Sequence, residues 1–295
     1  MARSTAEGAA SLRAAGALEP DASVRCPDDM AAGFLGGFNV TTLAKHRLTR
    51  SVYLRLANRM LPGAYAYEIA RCKFIDEVTL REIEAGLEEL VLLGAGLDSR
   101  PYRLADRLQG VRVFEVDHPA SQATKRARLR RVLDEEPRGV RFVSVDFTRD
   151  DLAIELARAG HDEGAATLFI WSGVAAYLPK EAVEALLSWI GGHTSARTSI
   201  VFDAMWASVL GGHSALYGAP ELQRSVDRVG EPLRWGIPDG QVDETLERFG
   251  LRVERTLDDE AAMAAYLTHA DGSVLGRPYG FGLLLHARVA TPPRR

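Results

Sequence analysis

Residues 91–104, Val91-Leu92-Leu93-Gly94-Ala95-Gly96-Leu97-Asp98-Ser99-Arg100-Pro101-Tyr102-Arg103-Leu104, constrain this chain more than any other stretch. A short apolar run ends in two glycines one residue apart, and a helix-compatible segment follows. That order reads as a strand, a tight turn and a ligand close to the backbone. Glycine lacks a Cβ, so the chain can turn sharply and a bound molecule can come near. The turn leaves N–H groups free at a helix start, where a polar or anionic group can be held. Further on, Val111-Arg112-Val113-Phe114-Glu115-Val116-Asp117 reads as a second strand closing on an acid. An acid about 20 residues beyond a glycine turn accepts hydrogen bonds from a ribose. The pair implies a nucleoside-containing cofactor.

The rest of the chain fits an α/β sheet. Strands are expected at 90–93, 111–116, 140–145, 167–171 and 199–202, with helices between them, including one at 180–190. Such a β-α-β-α rhythm means a parallel sheet flanked by helices. After a broken stretch at 204–240, a helix at 241–249 and strands at 251–256 and 282–289 follow. Two closing strands without a long helix between them predict an antiparallel end to the sheet. Upstream, residues 28–90 read as helices: Leu48, Val52, Leu56 and Met60 recur every four residues, and Ile69, Cys72, Ile75 and Val78 every three. Pro62-Gly63 separates the two.

This gives a mobile tail or loosely held helix over 1–25, rich in Ala, Ser and Gly, and one domain over 26–295. Within that domain lie a helical cap at 26–89, a cofactor core at 90–203, an inserted substrate cap at 204–240 and the last part of the sheet at 241–295. The chain has 295 residues and a net charge of −4, which disfavours an electrostatic grip on nucleic acid. The basic run Lys125–Arg131 is expected to be a solvated helix face, because Asp134, Glu135 and Glu136 follow it. Two cysteines, Cys26 and Cys72, imply no disulfide framework and suit a reducing cytoplasm. No apolar run is long enough for a membrane span and no signal peptide is evident, so no membrane partner is expected. The seven histidines are dispersed without paired ligand spacing, so no metal is expected.

In an open parallel sheet the ligand lies beyond the carboxyl ends of the strands. The residues expected there are Gly94, Ala95 and Gly96, then Asp117 with His118, Asp146 with Phe147, Ser172 with Gly173, and Asp203. The Asp146 carboxylate can accept from an exocyclic amine, and Phe147 can cover a ring face. Alternatively, Asp146 caps a helix. A dinucleotide site would want a small third residue where Ser99 stands, followed here by Arg100 and Pro101, so a nicotinamide-dependent oxidoreductase is the weaker reading.

Four segments resemble the leucine carboxyl methyltransferase family, whose bacterial branch includes the tetracenomycin-type polyketide O-methyltransferases. They are Gly94-Ala95-Gly96-Leu97-Asp98-Ser99-Arg100, Glu115-Val116-Asp117-His118-Pro119, Val145-Asp146-Phe147 and Trp171-Ser172-Gly173-Val174-Ala175-Ala176-Tyr177-Leu178. Ala70-Arg71-Cys72-Lys73-Phe74-Ile75-Asp76 is similar to the family's arginine-bearing helix. The resemblance implies a class I S-adenosyl-L-methionine-dependent methyltransferase with a seven-stranded, mostly parallel sheet and an antiparallel last strand, releasing S-adenosyl-L-homocysteine. It implies that Arg71 pairs with the methionine carboxylate, Gly94 lies against the methionine, Asp117 holds the ribose, and Asp146 and Phe147 hold the adenine. A guanidinium suits a carboxylate because it can bind with two parallel hydrogen bonds. The family usually has Glu where this chain has Ser172. Serine is shorter and neutral; it either still accepts a hydrogen bond, through a water if need be, or marks weaker cofactor binding and changed or lost transfer.

The acceptor is expected to be a small molecule, first a polyketide-like or other aromatic metabolite, methylated on a carboxyl or hydroxyl. Tyr177, Met205, Trp206, Tyr217 and Trp235 are candidates for its walls, with the helical segment 34–60 opposite. A carboxylate acceptor needs no base and a phenol benefits from one; Tyr177, His213 and Tyr217 are the candidates, with Asp203 and His118 also near. A homodimer is the expected assembly if there is one.

Overall fold

Leu90, Val91, Leu92 and Leu93 show no polar alternation because helices cover both faces of their strand. In the computed structural model, which describes residues 5–36, 40–133, 139–147, 149–193, 195–229 and 232–290, this segment is β1 (Glu89–Leu93), buried along its whole length. The others are β2 (Arg112–Asp117), β3 (Val140–Ser144), β4 (Thr167–Trp171), β5 (Ser199–Met205), β6 (Leu251–Leu257) and β7 (Gly282–Val289). They form one seven-stranded sheet in the order β3-β2-β1-β4-β5-β7-β6. The first five run parallel, and β7 pairs antiparallel with both β5 and β6. The antiparallel strand is therefore inside the sheet, and β6 takes the edge. Strand order reverses between β1 and β4, and ligands of such sheets bind in the crevice at that reversal.

The helices are α1 (Thr5–Gly16), α2 (Ala31–Phe34), α3 (Arg47–Met60), α4 (Ala64–Glu84), α5 (Arg100–Arg103) and α6 (Pro119–Val132). They continue with α7 (Leu152–Arg158), α8 (Lys180–His193), α9 (Ala219–Val229), α10 (Val242–Glu247) and α11 (Asp259–Tyr266). The period of two along the strands sorts the core into two layers. Val91, Leu93, Phe114, Val116, Phe169, Trp171, Ile200 and Phe202 face one way, onto Val183, Leu187 and Ile190 of α8 and Leu246 of α10. Leu90, Leu92, Val113, Leu168, Ile170 and Val201 face the other, onto Ile69, Cys72, Ile75 and Val78 of α4 and Tyr266 of α11. Helix α11 lies in the connection between the antiparallel neighbours β6 and β7, and the sequence pattern does not announce it.

Three expectations need correction, and one apolar helix face points away from the core. The segment expected as a mobile tail or loosely held helix contains a helix, α1, and it is held firmly: its Ala10, Ala14 and Ala15 are buried. Its small side chains let it approach closely, and Arg13 ties it down through Asp28 and the Leu97 carbonyl, each within 2.9 Å. The four-residue stripe of α3 is on a helix, but that face points outward: Leu48 is 94% and Met60 57% exposed. The helix docks by its other face, where Tyr53 is buried and its hydroxyl meets the Ser11 hydroxyl. The basic run is not all solvated either: Lys125 is 1% exposed and its ammonium reaches Glu115 at 2.7 Å, sharing that carboxylate with the Tyr102 hydroxyl. Burial outweighs Lys125 and raises the Glu115 carboxyl above its usual range. The flanking Asp134, Glu135 and Glu136 lie outside the described residues. Finally, Trp235 is no part of a substrate wall: it is 4% exposed and belongs to the first core layer beside Ile237. The backbone bridge between Trp206 and Ile237 folds that stretch back onto the end of β5, which carries Trp235 inward. No helix among the described residues is long and apolar enough to cross a membrane.

Candidate active site

The turn after β1 is shaped by Gly94 and Gly96, at φ +65° and +44°. A Cβ on Gly94 would lie 2.5 Å from Val174 Cγ2, so only glycine lets this turn nest against the one after β4. The Gly96 N–H donates to Asp117 Oδ2 at 2.7 Å, and Oδ1 accepts the His118 N–H at 2.7 Å. The Asp117 carboxylate thus spans from the end of β2 to the glycine turn. An ionised carboxylate offers about four acceptor positions, so capacity for a diol remains. His118 uses its ring Nδ1 to accept from Ala120 N–H at 3.2 Å, capping α6; its ring is exposed. Ala95 is buried, and its N–H donates to the Val116 carbonyl at 3.0 Å, which ties the turn to β2.

Asp146 and Phe147 follow β3, level with the Asp117 end of β2. Both are half-buried, and Phe147 packs against the first core layer. Helix α7 is capped by Asp151, which accepts from Ile154 N–H at 3.2 Å, so Asp146 is not that helix's cap.

At the turn after β4 stands Arg71, from α4, 8% exposed. Its Nη1 donates to Asp203 Oδ2 at 2.9 Å, and its Nη2 pairs with Glu68 one turn earlier. Burial opposes the guanidinium charge, but Asp203 and Glu68 outweigh burial and hold it firmly protonated. A Cβ on Gly173 would be 3.1 Å from Arg71 Nη1, so the guanidinium sits directly on the turn after β4. Asp203 is within β5, not at a helix start, and its Oδ1 accepts the Gly173 N–H at 2.6 Å. Ser172 is half-buried beside it.

Sequence reasoning did not find the aromatic wall here. The Tyr67 ring faces Arg71 at 5.7 Å and packs on Tyr279, whose ring stacks on Phe281 with centroids 4.7 Å apart. Burial first, then Asp203, drives the Tyr67 phenol well above its usual range; burial and then Glu68 do the same to Tyr279. Both are therefore neutral phenols near pH 7. Tyr177 is half-buried and close enough to Tyr279 to interact electrostatically with it. The Tyr217 ring lies by Gly63, with Arg277 over it at 5.2 Å. Trp206 is half-buried between the first core layer and the cap. Met205 is 8% exposed and packs with Val209, Leu222 and Phe281, which makes it a core residue of the cap. His213 is in an exposed stretch. The missed residues Glu68, Tyr67 and Tyr279 carry no sequence motif; the one available signal was a tyrosine and a glutamate four and three residues before Arg71 on one helix.

A further buried network supports the glycine turn. Arg100 Nε donates to Asp76 at 2.8 Å and its guanidinium also holds Asp98, while Ser99 donates to Asp28 at 2.6 Å. Burial would raise the Asp98 carboxyl, but Arg100, Lys125 and Arg13 hold it down at about 2.

A seven-stranded sheet of this order, with an acid-clasped glycine turn at the strand-order reversal, is the fold of class I methyltransferases. Two solved structures share it: a Thermobifida fusca protein titled a "putative methyltransferase" (TM-score 0.55, 16% identity, 92% of this chain and 97% of that one) and a Streptomyces avermitilis DUF574 protein (TM-score 0.56, 14% identity, 81% and 90%). The leucine carboxyl methyltransferase family model matches residues 6–191, and the chain belongs to that family. A Streptomyces coelicolor relative, described as a "putative S-adenosyl-L-methionine-dependent methyltransferase", is 37% identical over 194 residues, 63% of each chain. YktD of Bacillus subtilis, described in the same words, is 28% identical over 192 residues, 65% of this chain and 63% of that one. The chain thus spans a little under two thirds of the length of these relatives.

Proposed function

We propose that the chain is an enzyme, an S-adenosyl-L-methionine-dependent methyltransferase that modifies a carboxyl or hydroxyl oxygen of a small molecule. An aromatic, polyketide-like metabolite is its first substrate class. The observation that carries this reading is the clasp between Asp117 and Gly96 at the strand-order reversal, with Arg71 seated on the turn after the neighbouring β4. The family membership supports both the enzyme and its cofactor.

When bound, the cofactor supplies an electrophilic methyl group, and the protein supplies alignment and a dry pocket. Asp117 uses its remaining lone pairs for the ribose hydroxyls. Asp146 and Phe147 take the adenine, and Arg71 takes the amino-acid carboxylate. Tyr67 braces Tyr279 from within the core, and Tyr177, Tyr217, Tyr279 and Trp206 exclude water and hold a flat acceptor at its rim. A carboxylate acceptor arrives ionised and asks no proton transfer of the protein; a phenol would release its proton to solvent while the Tyr177 or Tyr217 hydroxyl holds its oxygen by a hydrogen bond, since His213 is in an exposed stretch.

The test is transfer of labelled methyl from S-adenosyl-L-methionine to a panel of phenols and aromatic acids, beside calorimetry with S-adenosyl-L-homocysteine. Binding with labelled product supports the reading, and absence of binding ends it. Binding with no transfer to any acceptor favours a second reading, a member with altered or lost transfer. The specific observation behind that reading is Ser172, which offers a hydroxyl at the end of β4 where the resemblance leads one to expect a carboxylate.

A further inference from the structure

The end of β4 carries no side-chain anion, yet the sheet supplies one a strand away. Continuing the β4–β5 register one step past Trp171 and Phe202 sets Ser172 beside Asp203. Residues level with one another in adjacent parallel strands present their side chains to the same face, about 4.8 Å apart. Asp203 has one oxygen on the Gly173 N–H and the other on Arg71, which leaves lone pairs on both.

The charges around it do not balance. Glu68 and Asp203 both pair with Arg71, and Asp28 pairs with Arg13, so three carboxylates face two guanidiniums. Glu68 Oε2 is buried and takes no hydrogen bond; Arg13 Nη1 is 3.7 Å away. An unmatched buried charge is costly, and a ligand bringing only a carboxylate to Arg71 would add to the excess. A zwitterionic amino-acid tail brings its own cation.

We propose that Asp203 accepts the α-ammonium of the cofactor's amino-acid tail while holding Arg71 in place for the carboxylate. This rests on the cofactor assignment above. Arg71 and Asp203 would then read the two ends of the zwitterion as a pair, with Ser172 leaving room between them.

Calorimetry on the full chain with S-adenosyl-L-homocysteine and its deaminated analogue tests it. The wild type should favour the amine-bearing ligand by about tenfold or more, the worth of a charge-assisted hydrogen bond. In Asp203→Asn that preference should shrink to about twofold, and Asp203→Glu, which keeps the anion, should restore most of it. Equal weakening of both ligands in Asp203→Asn, with the preference intact, overturns the proposal and leaves the cofactor assignment standing. Failure of the wild type to bind either ligand overturns both. Should Asp203→Asn not fold, a crystal structure of the wild type with S-adenosyl-L-homocysteine decides. An ammonium nitrogen within about 3.2 Å of Asp203 supports the proposal, and one beyond about 4 Å overturns it.

Discussion

The two sides of the crevice are made in different ways. The side that we assign to the nucleoside uses backbone and near neighbours: the turn at Gly94–Gly96, the acid at the end of the next strand, and the acid that follows the strand after that. The side around Arg71, which we assign to the amino-acid tail of the cofactor and to the acceptor, is assembled from distant pieces. Arg71 and Tyr67 come from α4, Asp203 from β5, Tyr217 from the cap, and Tyr279 from the segment before β7. A site whose parts are local in sequence is set by the sheet. A site whose parts are far apart depends on buried charge pairs and ring packing to bring them together.

That contrast can be broken by mutation. Arg71→Ala should be the most damaging single change, because it leaves Glu68 and Asp203 buried without their partner. A loss of about 3–5 kcal/mol is expected in denaturant unfolding, together with loss of cofactor binding. Trp235→Ala should cost about 3–5 kcal/mol as well, by emptying a core site, while leaving the KM for any acceptor unchanged in the folded fraction. Were Trp235→Ala to alter acceptor KM without altering stability, its removal from the substrate wall would be wrong. On the cofactor side, Asp117→Ala should raise the dissociation constant of S-adenosyl-L-homocysteine at least about tenfold, roughly 1.5–3 kcal/mol. Unchanged affinity in a folded variant would contradict the ribose assignment.

Acid exposes the same asymmetry. The Asp98 carboxyl is held at about 2 in the folded chain, below its unfolded value, so its stabilisation is full above about pH 4 and is lost as pH falls toward 2. The contribution is about 2 kcal/mol, and an Asp98→Asn variant should show a flatter stability profile between pH 4 and 2. The smallest effect is expected at the outward stripe of α3: Leu48→Ser should move stability by less than about 0.5 kcal/mol. A larger loss would mean that this face is covered in solution.

How much could be read in advance follows the same line. The strands, their parallel start and the antiparallel β7 were legible, because apolar runs and strand-end acids are local signals. Asp117 and Arg71 were legible as candidates through motif and resemblance; the structure sets Asp117 on the turn after β1 and Arg71 on the turn after β4. Asp203 was visible as a strand-end acid, but its bond to Arg71, 132 residues away, was not. The periodicity of Leu48, Val52, Leu56 and Met60 gave the helix but not which way that face points. Periodicity identifies a stripe; it does not say which stripe the rest of the chain will cover. The alanine-rich start misled for a related reason. Small side chains suggest a weak element, yet they allow α1 to lie close against its neighbours.

Helix α1 has a practical consequence. A shortened protein beginning at residue 26, the boundary its composition invites, would strip Arg13 from Asp28 and from the Leu97 carbonyl, and Ala6 from beside Gly96. Such a truncation would do more than shorten the chain; it would uncover the glycine turn and cut the ties that hold the segment around Asp28 against it.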